Sequence, residues 1–171
     1  MAGQADKSPK LAFLTRHSVT EGRVTMKDEQ LQLIGREVVI AFGPRRSICM
    51  FSPEAFATYA DTVRTALEAH LQHFEQMPIY RQLIATSFAA SIDAQKRFRI
   101  PQPYLSRMQL DTNHPEVDIL HMSGDGYEWL EMWPADGLSA GSDTEDSFDK
   151  AFERLIEAMR GQVGAAVDVA T

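Results

Sequence analysis

Residues 92–101 read I-D-A-Q-K-R-F-R-I-P, and they place Arg97 and Arg99 two positions apart. Side chains two apart on a strand share a face. Arg97 and Arg99 are therefore expected to point one way, and Phe98 and Ile100 the other. An arginine can grip a phosphate or pair bidentately with guanine O6 and N7. A two-stranded β-ribbon fits the DNA major groove. Asp93, four residues before Arg97, can cap the turn and hold the guanidinium, and such pre-ordering lowers the entropy cost of binding. Lys96 adds a phosphate contact.

An earlier stretch, V-T-E-G-R-V-T-M at 19–26, repeats the alternation. Here Arg23 and Thr25 share a face, while Val24 and Met26 go to the core. Arg16, His17 and Lys27 lie nearby in sequence. The candidate DNA-contacting set is thus Arg16, Arg23, Thr25, Lys27, Asp93, Lys96, Arg97 and Arg99. The plain alternative is that these arginines only form surface ion pairs with acidic residues.

The total charge of −7 argues against nucleic acid, but its distribution does not. Residues 1–110 hold fourteen Lys and Arg against ten Asp and Glu. Residues 111–171 hold three against fourteen. A mildly basic body with an acidic C-terminal third points to an interaction face. The acidic part can lie away from DNA, pack on a neighbour, or compete with DNA for the basic face; a solvated acidic tail is the bland reading.

The elements that must position these residues follow from periodicity and punctuation. The 171 residues suggest one domain, or two small halves sharing one core. Residues 1–10 read as a disordered lead, 11–14 as a strand start, 21–22 as a turn and 23–26 as a half-buried strand. Residues 28–34 read as a short helix stopped by Gly35, and 38–42 and 47–51 as strands across Gly43-Pro44-Arg45-Arg46. Ser52-Pro53-Glu54 opens a long helix to about Gln76, with Phe56, Tyr59, Val63, Leu67, Leu71 and Phe74 on its apolar face. A second helical segment is expected over 79–86. Residues 88–92 and 97–100 are expected to pair as a hairpin about Ala94-Gln95. A short helix over 101–108 and strands over 117–122 and 127–133 follow. Residues 135–144 read as a linker, and 144–160 as an amphipathic helix with Phe148, Phe152, Leu155 and Met159 on one side.

Hairpin, short helix, strand, turn, strand thus occurs twice. Arg23 and Arg97 anchor the alignment, 74 residues apart. Leu31 falls on Leu105, Ile34 on Met108, and Val38-Val39-Ile40 on Val117-Asp118-Ile119. Met50-Phe51 falls on Met132-Trp133. Each half has too few strands to bury a core alone.

Over residues 11–134 this pattern resembles the MraZ family of AbrB-like swapped-hairpin proteins. Its hallmark is Asp-x-x-x-Arg in each half, with Gly before the Arg and Ile-Pro soon after. The second half has Asp93 and Arg97 followed by Ile100-Pro101; the first has Gly22 and Arg23. Val19 stands at the first motif's Asp, Lys96 at the second motif's Gly, and Lys27 at a usual Pro. If the Lys96 position needs a positive φ, lysine costs roughly 1 kcal/mol relative to glycine there. The resemblance implies an α+β fold. Two pseudo-symmetric halves, 11–77 and 78–134, would form one small β-barrel-like core with flanking helices and an added C-terminal helix. It implies a DNA-binding transcriptional regulator acting on repeats upstream of the cell-division and cell-wall gene cluster. The implied partners are double-stranded DNA and further copies in a ring-like homo-oligomer, which would supply avidity. The alternative is an oligomeric scaffold or protein-interaction module that has lost DNA binding.

Other chemistry finds little support. The single cysteine, Cys49, sits in an apolar run and reads as core, in keeping with a reducing compartment. His70 and His73 have a metal-compatible spacing, but His17, His114 and His121 are scattered and nothing completes a shell. Phosphate-loop, nucleophile-elbow and zinc-protease motifs are missing from the sequence. Trp129 and Trp133 read as core or interface packing. No enzyme, cofactor, metal or membrane span is expected, and a hydrolase using Asp and His is the weakest reading. The polar first ten residues have no signal-peptide core, so the expected location is the cytoplasm, and the resemblance implies association with the nucleoid there.

Overall fold

The computed structural model describes residues 12–43, 45–70, 80–81, 83–111, 113–124 and 126–137. The expected lead over 1–10, the helix face at Leu71 and Phe74, and the C-terminal helix over 144–160 lie outside these residues.

Alternation builds the strands. β1 (Ala12–Thr20) and β2 (Arg23–Thr25) flank the Glu21-Gly22 turn, and α1 (Asp28–Ile34) follows. Gly35 ends α1 at φ +76°, a conformation that glycine adopts without a Cβ penalty. β3 (Glu37–Phe42) and β4 (Ile48–Phe51) come next, then α2 (Pro53–His70). Ser52 caps α2, its hydroxyl accepting the Ala55 N–H at 3.1 Å. Tyr80, Arg81 and residues 83–86 are helical. β5 (Phe88–Ser91), β6 (Arg97–Arg99), α3 (Gln102–Met108), β7 (Glu116–Gly124) and β8 (Tyr127–Pro134) complete the order.

All strand pairs are antiparallel, in the order β5-β3-β4-β8-β7-β1-β2-β6. A bridge between Ile92 and Phe98 brings the two ends of this order together. The result is a nearly closed, barrel-like sheet in an α+β chain, as the sequence led us to expect. Its interior holds Val24, Met26, Ile40, Met50, Phe98, Ile100, Ile119 and Met132. A second core lies outside the barrel, where Tyr59, Val63 and Leu67 of α2 meet Cys49, Phe51 and Tyr127. Phe51 and Tyr59 stack there at 4.8 Å. Cys49 is core, as read, and burial pushes its thiol well up, which disfavours the reactive thiolate.

One expectation is corrected. The hairpin about Ala94-Gln95 forms only at its tip, where Ile92 bridges Phe98 and the Asp93 N–H donates to the Arg97 carbonyl at 3.1 Å; residues 88–91 do not continue it along 97–99. β5 pairs with β3 over four residue pairs, Glu37↔Ser91 to Ile40↔Phe88. β6 pairs with β2, as Arg23↔Arg99, Val24↔Phe98 and Thr25↔Arg97. Likewise β1 spends most of its length on β7 and touches β2 only at Val19↔Val24 and Thr20↔Arg23. Period-two alternation sets which face is buried, but it does not choose the partner strand. The partner that buries Val24 and Phe98 against each other lies in the other half.

Phe98 is fully buried at this junction. Phe98→Ala should lower the unfolding free energy by about 3–5 kcal/mol, the range for a buried aromatic truncated in a packed core. Urea denaturation checks this, and an unchanged midpoint would mean that β2 and β6 lie outside the cooperative core.

Candidate nucleic-acid interface

The pairing of β2 with β6 turns two short segments into one antiparallel ribbon. Val24, Phe98, Met26 and Ile100 line its buried side. Thr25, Arg97 and Arg99 are exposed on the other side and Arg23 is partly so. Arg23 stands directly opposite Arg99. Like charges directly across an antiparallel pair repel, and Glu21 beside Arg23 offsets part of that repulsion.

Asp93 organises the second half of the ribbon. Its Oδ1 accepts the backbone N–H of Gln95 at 2.9 Å and of Arg97 at 2.8 Å. Its Oδ2 takes Arg97 Nε at 2.8 Å. The backbone bond from Arg97, foremost, holds the Asp93 carboxyl below its ordinary value. This is the capping and guanidinium-holding geometry that the spacing suggested. Arg36 also donates to the Asp93 carbonyl.

The first half solves the same problem differently. Val19 stands four residues before Arg23, as Asp93 does before Arg97, but it is buried and pairs with Val24 as Ile92 pairs with Phe98. Arg23 instead meets Glu21, two residues earlier, at 3.1 Å. A search of the sequence for any carboxylate within two or three residues of Arg23 finds Glu21. The glycine question is also answered. Gly22 has φ +72° and Lys96 φ +64°, so lysine occupies the left-handed conformation. The Lys96 ammonium reaches Asp28 at 2.7 Å, which anchors it to the start of α1.

The remaining candidates divide. Arg16 lies on the β1–β7 ladder and grips Asp118 with two bonds, of 2.9 and 3.0 Å. Asp118 is buried, so this arginine answers a structural carboxylate 102 residues away. Lys27 is exposed and precedes α1, where its N–H donates to Gln30 Oε1 at 2.8 Å. Arg99 has no carboxylate partner among the described residues and is the least committed cation of the ribbon.

His17 ties the ribbon to β1 and α1. Its Nδ1–H donates to the Thr25 carbonyl at 2.9 Å. Its Nε2 lies 2.8 Å from the Thr15 hydroxyl and 3.3 Å from Gln30 Nε2. Gln30 Nε2 donates in turn to Thr15 Oγ1 at 2.9 Å. This arrangement suits a neutral ring with an accepting Nε2. Burial, first, and then Lys27 lower the His17 pKa, against the pull of the Thr25 carbonyl and Asp118.

No group of three metal-ligating side chains occurs among the described residues. His73 lies outside them, as does the side chain of His70. The sequence reading also missed Glu131, a buried carboxylate on β8. Its two oxygens accept Trp129 Nε1 at 3.1 Å and Trp133 Nε1 at 3.0 Å. The legible signal was W-x-E-x-W, which puts two donor-only indoles on the same strand face as one carboxylate. No protein-family model matches the chain, and no curated protein matches it either.

Because the folded pKa of His17 is depressed, its stabilising effect is fully present above the ordinary value of 6.5 and is lost as pH falls below it. The thermal midpoint should therefore drop between about pH 7.5 and about pH 5.5, and the drop should shrink in His17→Gln. Equal drops in both proteins would remove His17 from the account. Asp93→Asn should speed amide exchange at Gln95 and Arg97 while leaving β7 and β8 protected. Unchanged exchange at those two amides would show that the turn holds without the carboxylate.

Proposed function

We propose that the chain is a DNA-binding transcriptional regulator related to the MraZ family, reading DNA with the exposed side of the β2–β6 ribbon. The observation that carries this is the Arg23–Arg99 opposition beside Arg97, on a strand pair whose other side is sealed in the core. A ribbon of this kind matches major-groove width, and its arginines match phosphate and guanine edges.

Two related halves, intertwined as in a swapped-hairpin fold, account for the pairing pattern. Taken as a ring, the strand order is unchanged when β1, β2, β3 and β4 are exchanged with β5, β6, β7 and β8. The registers follow suit. Val38↔Ala90 and Ile40↔Phe88 correspond to Val117↔His17 and Ile119↔Thr15. The bond from Met26 N–H to the Lys96 carbonyl corresponds to that from Ile100 N–H to the Gly22 carbonyl. The exchange axis would run through the Val24↔Phe98 and Cys49↔Glu131 pairs. A further copy of the basic ribbon in a ring-like assembly would add avidity, and the cytoplasmic nucleoid is where such a protein would act. No described helix is long and apolar enough to cross a membrane.

A second reading rests on a specific observation. Arg16, Arg23, Lys96 and Arg97 each already meet a carboxylate. That favours an oligomeric scaffold that has lost DNA binding.

Binding to the DNA upstream of the chain's own gene separates the two. The regulator should show affinity falling steeply with salt. Arg23→Ala and Arg97→Ala should each weaken it by roughly 5- to 150-fold, about 1–3 kcal/mol. Salt-insensitive or undetectable binding, unaltered by the double substitution, would leave the scaffold.

A further inference from the structure

β5 has one open edge, and that edge borders a cleft. The Ile92 N–H donates to the Arg36 carbonyl at 2.8 Å, and the Asp93 N–H, one residue on, to the Arg97 carbonyl at 3.1 Å. Backbone groups alternate sides along an antiparallel strand. Those of Phe88 and Ala90 therefore face β3, and those of Ala89 and Ser91 face away from it. Among the described residues, no hydrogen bond meets Ala89 or Ser91 on that side. Past the Ile92–Phe98 bridge, β6 departs from β5, and the Ile100 N–H turns to the Gly22 carbonyl at 2.9 Å. A cleft of about 690 Å³ opens there, with β5 as one wall and Arg99, Ile100, Pro101 and Leu105 on the other. Ligand clefts commonly hold about 300–1,000 Å³. The first half fills the matching place with a side chain. His17, opposite Val117 as Ala90 is opposite Val38, donates its Nδ1–H to the Thr25 carbonyl at 2.9 Å. The methyl of Ala90 cannot make that bridge. Open strand edges are ordinarily blunted by charge, proline or a bulge. β5 reads F-A-A-S, with none of these, and Phe88 is 54% exposed.

We propose that β5 receives an extended segment of a partner protein as an added strand, and that this segment alternates apolar and acidic side chains. The walls of the cleft set this chemistry. Phe88 and Ala90 share a side of β5 with the buried Ile92, and Ile100 is buried on the opposite wall. Every second side chain of the added strand therefore meets apolar groups. The side chains between them face outward with Ala89, Ser91 and Arg99, all exposed. Arg99 has no carboxylate partner among the described residues. The other charged residue of the cleft, Glu21, is already held by Arg23 at 3.1 Å. A carboxylate on the outward side of the added strand gives Arg99 charge-assisted bonds. The four residues of β5 span about 13 Å, so the contact is short. In this mode main-chain bonds supply the affinity and the side-chain pattern supplies the specificity. A generic strand of the right pattern is therefore a sufficient probe.

A fluorescein-labelled peptide of alternating valine and glutamate, about seven residues long, should bind the full chain, with anisotropy saturating below about 1 mM peptide. Bound peptide should slow amide exchange at Ala89 and Ser91. N-methylating the peptide amides removes its main-chain donors and keeps every side chain, and should weaken binding by roughly ten-fold or more. Ala89→Pro should weaken it by about as much, with far-UV circular dichroism retained, because proline is tolerated on an edge strand where the lost N–H faces away from the ladder. Arg99→Gln, at an exposed position, should cost roughly ten-fold in affinity. No saturation up to about 1 mM peptide would overturn the proposal, as would binding indifferent to both N-methylation and Ala89→Pro. So would sedimentation showing that the chain self-associates without peptide and that Ala89→Pro abolishes this, which would put a second copy of the chain on the edge.

Discussion

Val24 against Phe98, at the centre of the β2–β6 pair, is the contact on which the rest depends. Neither strand exceeds three residues, and neither can bury its apolar side alone. A three-residue strand gains little from its own hydrogen bonds once loop closure is counted. Pairing two of them across the chain, with both central side chains fully buried, converts two weak segments into one wall of the barrel. The same pairing fixes the outward register. Arg23, Thr25, Arg97 and Arg99 share a side because Val24 and Phe98 share the other.

The barrel then has a polar counterpart at its other central pair, Cys49 and Glu131. A carboxylate this buried is costly unless its oxygens are bonded. Two indole N–H groups from the same strand meet that requirement. Asp118, also buried, is met by Arg16 from β1. These acids belong to the sheet's outer face, whereas Asp93, Glu21 and Asp28 hold the cations of the ribbon and its turns. These five acids thus serve two separate structural tasks.

Local order was largely legible. The limits of α1, stopped by Gly35, and of β3 and β4, separated by Gly43-Pro44, follow from residues within a few positions of each boundary. The Asp93 clamp on Arg97 was legible too, because an Asx turn needs only four residues. The left-handed backbone at Lys96 followed from its alignment with Gly22. Strand partners were not legible. Phe88–Ser91 alternates no differently for β3 than for β6, since hydrogen-bond edges carry no side-chain signature. Arg16 was equally misleading, as its carboxylate partner is far along the chain.

What the sequence determined by itself was therefore most of the elements among the described residues, the buried side of each strand, and the Asp93 clamp on Arg97. These depend on backbone propensities and side-chain reach over a few residues. The tertiary structure decided which strands share an edge, and with that which cations face one another. Edge choice is settled by burying Val24 and Phe98 together, a contact between residues 74 apart. Only that contact sets Arg23 opposite Arg99, and leaves Arg16 on another ladder with a buried acid to neutralise.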